Sequence, residues 1–162
     1  MNPNRSAYLL ALLIPAALLG GALVAQYVYG LPPCEMCWWQ RYPHIVALVL
    51  AALAWMTRRD AMIALAAIAI LVSGALGAFH AGVEYNWWEG LTACTANGSN
   101  SSDPLASIMA APIVRCDVAP WTLGGVSLAG FNFLISTAAG VAILILIRRS
   151  ARTGVFARKK GR

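Results

Sequence analysis

Pro32-Pro33-Cys34-Glu35-Met36-Cys37-Trp38-Trp39-Gln40-Arg41 sets the reading of this chain. Two thiols stand two residues apart at the edge of an apolar segment, and an arginine follows one helical turn after the second. Cysteines at this spacing can close a small redox-active disulfide. A nearby cation or helix N-terminus favours the thiolate that does the chemistry. A cation at the mouth of an apolar segment is costly, which invites a functional explanation.

The surroundings are those of a membrane protein. The chain has 162 residues, 60% hydrophobic and 11% charged, against about 25% charged in soluble domains. Apolar runs cover about 7–29, 42–57, 61–82 and 126–147. A helical span needs about 20 residues, so the second run is short unless the residues after Cys37 join it. Backbone groups in lipid must be satisfied internally. The expectation is therefore an all-α membrane protein, a four-transmembrane-helix bundle in a single membrane domain. Two outer loops, about 30–41 and 83–125, and a tail, 148–162, complete it. Leu105, Ile108, Met109 and Ile113 recur at near-helical spacing, so the second loop is expected to carry a short amphipathic surface helix.

Charge gives the orientation. The formal net charge is +6. Only Arg41 and Arg115 of the Lys and Arg residues fall in the outer loops; the rest cluster at Arg5, Arg58-Arg59 and the tail from Arg148 to Arg162. The positive-inside rule places both termini and the Arg58-Arg59-Asp60 turn in the cytoplasm. The basic tail reads as topology and anionic-lipid contact rather than nucleic-acid binding. Cys34, Cys37, Cys94 and Cys116 all lie in the two outer loops, on the side where disulfides persist.

Local signals refine this outline. Pro15 is placed to kink the first run, and Gly20-Gly21 to let helices approach closely. Ser73, Gly74 and Gly77 in the third run, and Gly124-Gly125 and Gly130 near the fourth, read the same way. Cys34, Cys37, Arg41 and His44 would share one helical stripe. Pro43 opposes a continuous helix, so the helix either starts around Gln40 to Tyr42 or is kinked.

The candidate chemistry follows from these placements. Cys34 and Cys37 read as a redox pair, with half a zinc site or an inert disulfide as alternatives. Cys94 and Cys116 could staple their loop for about 3 kcal/mol. Beside the first pair, they also suit thiol–disulfide exchange. Four cysteines allow three pairings. Arg41 either snorkels to headgroups or stabilises a thiolate or a reduced acceptor. His44 and His80, with Glu84 nearby, are candidates for the same site; Glu35 reads as a solvated residue. Trp38, Trp39, Trp87, Trp88 and Trp121 read first as an interfacial belt.

The four runs, the Pro-Cys-Glu-Met-Cys-Trp-Trp-Gln-Arg element and the spaced Cys94…Cys116 pair resemble the bacterial disulfide bond formation protein B (DsbB) family. The resemblance implies a bacterial inner-membrane protein-dithiol:quinone oxidoreductase that supports disulfide bond formation. Its cofactor would be ubiquinone or menaquinone. Its partner would be a periplasmic thioredoxin-fold thiol oxidase of the DsbA type. Carried over by position, Cys94 takes the mixed disulfide with the partner, and Cys116 passes electrons on by bonding to Cys34. Cys37 is then the thiolate at the quinone, and Arg41 holds the quinone; His44 and His80 are weaker quinone-site candidates. A vitamin K epoxide reductase-like enzyme and a non-enzymatic four-span scaffold with structural disulfides are the alternatives.

Overall fold

The computed structural model describes residues 3–57, 59–92, 94 and 114–160. The expected amphipathic segment at Leu105 to Ile113 lies outside them. The described residues form α1 (Pro3–Tyr27), α2 (Glu35–Thr57), α3 (Asp60–Glu84), a hairpin of β1 (Thr122–Leu123) and β2 (Val126–Ser127), and α4 (Leu128–Lys160).

Among the described residues, α1, α3 and α4 are long and apolar enough to cross a membrane. Gln40, Arg41 and His44 dilute the apolar character of α2, which is not among the three. Large apolar side chains such as Leu13, Val49, Ile68 and Leu134 point outward and are exposed. An outward apolar surface on this scale suits a lipid environment. The protein is a mostly helical, multi-pass membrane protein.

The helix starts are set by short local devices. Gly30, at φ +66°, closes α1 with a left-handed residue, and Pro32-Pro33 prevent its continuation. Cys34 then takes the N-cap position of α2. Its carbonyl accepts from the Trp38 N–H at 3.3 Å, and its Sγ accepts from the Cys37 N–H at 3.2 Å. A sulfur does here what a serine oxygen does in a capping box. Ser127 plays that part for α4, its hydroxyl accepting from the Gly130 N–H at 3.1 Å.

α2 therefore begins at Glu35 and runs through Pro43 without interruption. Of the two possibilities, a start at Gln40 to Tyr42 or a kinked helix, the late start is set aside. Pro43 removes the bond that the Trp39 carbonyl would receive. One residue on, the Ser73 hydroxyl of α3 donates to the Gln40 carbonyl at 2.7 Å. Such help from a neighbouring helix is how proline is tolerated inside membrane helices.

Packing runs antiparallel. α3 lies between α2 and α4, while α1 packs on α2 and α4. At one end, Ala7 and Ala11 of α1 meet Ala51 and Ala54 of α2, Ile63 and Ala66 of α3, and Ile143 of α4. At the other end, Cys34, Met36, Val83, Cys94 and Cys116 form a second cluster. The small residues of α3 are used as expected: a Cβ on Gly77 would meet the Ala129 carbonyl at 2.9 Å.

Two glycine pairs are used differently from the sequence reading. Gly20-Gly21 have nothing within 4 Å of a built Cβ, so they do not mediate packing; Gly21 borders a cavity instead. Gly124 and Gly125, at φ +59° and +81°, form the two-residue turn between β1 and β2. Two consecutive positive φ values are what a type I′ hairpin turn demands. This hairpin is an addition to the expected all-α architecture. Tyr85 pins it: its hydroxyl donates to the Gly125 carbonyl at 2.8 Å and accepts from the Ser127 N–H at 2.8 Å.

Candidate functional site

The candidate site residues gather at the cysteine end of the bundle. Cys34 and Cys37 are free thiols with their sulfurs 2.9 Å apart, Cys34 donating to Cys37. Cys37 is on the first turn of α2, where the helix macrodipole favours negative charge. The bond Cys34 makes to Cys37, and then burial, push the Cys34 thiol far above its usual range. The pair is thus differentiated: Cys34 keeps the proton, and Cys37 receives the hydrogen bond.

Cys94 and Cys116 form a disulfide with a Cα–Cα distance of 5.3 Å. The Cys116 N–H donates to the Cys94 carbonyl at 2.9 Å, and the Thr92 hydroxyl lies 2.9 Å from Cys94 Sγ. Cys116 is fully buried, while Cys94 retains 9% exposure. Both pairs sit in one packed cluster. His80, at the end of α3, stands between them, with Nε2 3.6 Å from Cys34 Sγ and its ring beside the Cys116 main chain.

Below the first pair lies a cavity of about 250 Å³. Cys37, Gln40, Arg41 and His44 of α2 line one wall, at the i, i+3, i+4 and i+7 spacing of a helical face. The expected stripe is therefore real from Cys37 to His44; Cys34 belongs to the cap before it. His80 and Glu84 of α3 contribute another wall, and Gly21, Ala22 and Ala25 of α1 with Leu128, Phe131 and Asn132 of α4 close it.

Arg41 does not snorkel outward. It is 8% exposed; its Nη1 donates to Gln26 Oε1 at 2.7 Å and its Nη2 to the Ala22 carbonyl at 3.3 Å. Trp38 covers it, 4.9 Å from guanidinium carbon to ring centroid. A guanidinium carries five N–H donors in a fixed fork, so it has donors to offer a carbonyl in the cavity.

A polar layer continues from the cysteines into the apolar bundle. Gln40 Nε2 lies 2.8 Å from His80 Nδ1. Asn132 Nδ2 donates to Gln40 Oε1 at 2.9 Å, and His44 Nε2 lies 2.9 Å from Asn132 Oδ1. Neither amide has an assigned role in the sequence reading. The available signal was polarity inside an apolar run, which marks function in membrane helices.

The remaining expected residues divide. Glu35 is exposed, as expected for a solvated position. No tryptophan lines the cavity among its described residues. Trp87 is 69% exposed, and Trp88 folds back to donate to the Phe79 carbonyl at 3.0 Å. Ligand atoms of Cys34, Cys37 and His80 fall within 4.8 Å of one another, a soft donor set of the kind zinc takes. Glu84 lies nearby, with a carboxylate oxygen 3.8 Å from His80 Nε2, but is not one of the three.

A buried, asymmetric Cys-x-x-Cys, a second cysteine pair packed on it and an arginine-bearing apolar cavity beneath are consistent with the sequence resemblance. The chain matches the family "Disulfide bond formation protein DsbB" over residues 4–146. It is 31% identical over 145 residues to the Disulfide bond formation protein B of Polaromonas sp. (strain JS666), covering 84% of this chain and 86% of that one. It is 32% identical over 163 residues to that of Verminephrobacter eiseniae, covering 93% and 89%. With that of Chromohalobacter salexigens the identity is 29% over 170 residues, covering 96% and 94%. No solved structure gives a significant match. The match spans all four long helices and both cysteine pairs, and the chain belongs to the disulfide bond formation protein DsbB family.

Proposed function

We propose that this chain is a four-span inner-membrane oxidoreductase that withdraws electrons from a reduced periplasmic thioredoxin-fold oxidase and delivers them to a membrane quinone. The observation that carries the reading is that Cys37 and Arg41 face one apolar cavity directly beneath two packed cysteine pairs. In this reading both termini are cytoplasmic and all four cysteines are periplasmic. The clustering of the α1 start, α2 end and α3 start at one end of the bundle, and of the sulfurs at the other, supports it.

The residues fit a quinone. Ligand pockets run about 300–1,000 Å³, and this cavity, at about 250 Å³, has room for one substituted ring. An adjoining groove shares Gly21, Ala25, Leu31 and Leu128 with it and offers an apolar path for a prenyl tail. The quinone supplies a two-electron acceptor that thiols alone lack. Arg41 would hold a ring carbonyl, and Cys37 would be the sulfur facing the ring.

The exchange starts from a Cys34–Cys37 disulfide, regenerated from the free thiols seen here with the quinone as two-electron oxidant. A partner thiolate attacks Cys94, forming the mixed disulfide and releasing Cys116 as a thiolate. Cys116 attacks Cys34; the Cys116–Cys34 bond forms and Cys37 leaves as the thiolate. The partner's second thiolate then breaks the mixed disulfide, forming the partner's own disulfide and releasing Cys94, which attacks Cys116 and releases Cys34. The residual exposure of Cys94, against full burial of Cys116, supports that order.

Purified protein mixed with a reduced thioredoxin-fold partner, with and without ubiquinone, tests this. Cysteine states are read by alkylation and mass spectrometry. Partner oxidation should depend on quinone and be lost in Cys37→Ser; oxidation indifferent to quinone would sink the proposal.

A further inference from the structure

The amides of Gln40 and Asn132 could in principle face either way, because amide oxygen and nitrogen are interchangeable in shape. Two backbone carbonyls remove that freedom. Gln40 Nε2 lies 3.2 Å from the Met36 carbonyl, and Asn132 Nδ2 lies 3.1 Å from the Ser73 carbonyl. A carbonyl only accepts, so both nitrogens are fixed where they stand.

The consequence propagates through the imidazoles. With Gln40 Nε2 as donor, His80 Nδ1 must accept. A neutral imidazole then carries its proton on Nε2, 3.6 Å from Cys34 Sγ, with a Glu84 carboxylate oxygen at 3.8 Å and the Cys116 main chain as the competing acceptors. At the far end, Asn132 Oδ1 can only accept, so His44 donates from Nε2. Cys34 Sγ donates in turn to Cys37 Sγ. Every donor from His44 through Asn132, Gln40, His80 and Cys34 points one way, and the series ends on the Cys37 sulfur.

We infer that Gln40 and Asn132 are positioning residues that lock His80 in its Nε2–H form and orient a one-way hydrogen-bond chain onto Cys37. Successive donors polarise one another in a low-dielectric interior, and the chain's single acceptor terminus is the sulfur best placed to hold negative charge. The same direction argues against zinc at Cys34, Cys37 and His80. A metal needs the Nε2 lone pair, and that nitrogen is held as a donor.

The inference deepens the proposed thiol–quinone reading and rests on it only for the use to which the Cys37 thiolate is put. Its test requires neither quinone nor partner, so the two can fail separately. Fully reduced protein in lipid, with ¹⁵N-labelled histidine, should show His80 protonated on Nε2 with a bare Nδ1. A proton on Nδ1 overturns the proposal. In Gln40→Met that preference should be lost, and alkylation of Cys37 at neutral pH should slow about tenfold, as expected when a charge-stabilising hydrogen bond is removed. An unchanged rate in a folded variant also overturns it. Asn132→Leu removes the donor to Gln40 Oε1 but leaves Gln40 Nε2 held on the Met36 carbonyl. His80 should then stay protonated on Nε2 while alkylation of Cys37 slows, by less than in Gln40→Met; an unchanged rate overturns the proposal, and this variant serves if Gln40→Met does not fold.

Discussion

At the scale of single residues, the two thiols of one motif have been made unequal. Cys34 is buried and donates its hydrogen bond, while Cys37 is partly exposed on a helix N-terminus. Because its thiol is pushed far above the usual range, Cys34 should stay protonated across neutral pH. Graded alkylation of the reduced protein from pH 6 to 9 should therefore modify Cys37 first. Equal rates would remove the distinction. Cys116→Ala should leave the partner trapped on Cys94, visible as a disulfide-linked adduct on a non-reducing gel. For Arg41→Lys, the bidentate fork is lost although the charge is kept; the KM for quinone should rise roughly tenfold with kcat less affected, on the scale of a lost charged hydrogen bond. The thiols and Arg41 were legible in the sequence because rare residue types stood at a telling spacing. The direction of Arg41 was not, since it depends on Gln26 and Ala22 of another helix.

At the scale of elements, helix starts were read less well than helix interiors. Pro43 argued for a late start to α2, by a local rule that a hydroxyl on a neighbouring helix offsets. Nothing within the segment itself could announce Ser73. The Gly124-Gly125 pair reads as a packing surface because it precedes an apolar run, yet its positive φ values make it a turn. Ser127 is both the end of that hairpin and the cap of α4. Ser127→Ala should cost about 1 kcal/mol, read as a lower Tm, while Cys94–Cys116 still forms. Loss of the disulfide in that variant would mean the hairpin positions the second cysteine pair as well.

At the scale of the whole molecule, the division of the bundle into ends was the most readable property. Charge asymmetry put basic residues on one side and cysteines on the other, and the packed clusters keep those groups apart. The polar layer between the alanine-rich end and the sulfur-rich end was not foreseen. Gln40, Ser73 and Asn132 are far apart in sequence: Gln40 stands in the expected outer loop beside Arg41, Ser73 reads as a small packing residue, and Asn132 as an isolated polar residue in an apolar run.

The cap of α2 links these scales. In the proposed exchange, the sulfur that receives the Cys37 N–H would also change bonding partner. Engaged with another cysteine, Cys34 would be a different acceptor in a different place, and the first turn of α2 would lose its latch. The mouth of the cavity would thereby be geared to oxidation state: its α2 edge should be tight when the pair is reduced and looser when Cys34 is bonded elsewhere. The amide proton of Cys37 would act as the gauge, exchanging with deuterium more slowly in the reduced protein than in a trapped Cys34–Cys116 form.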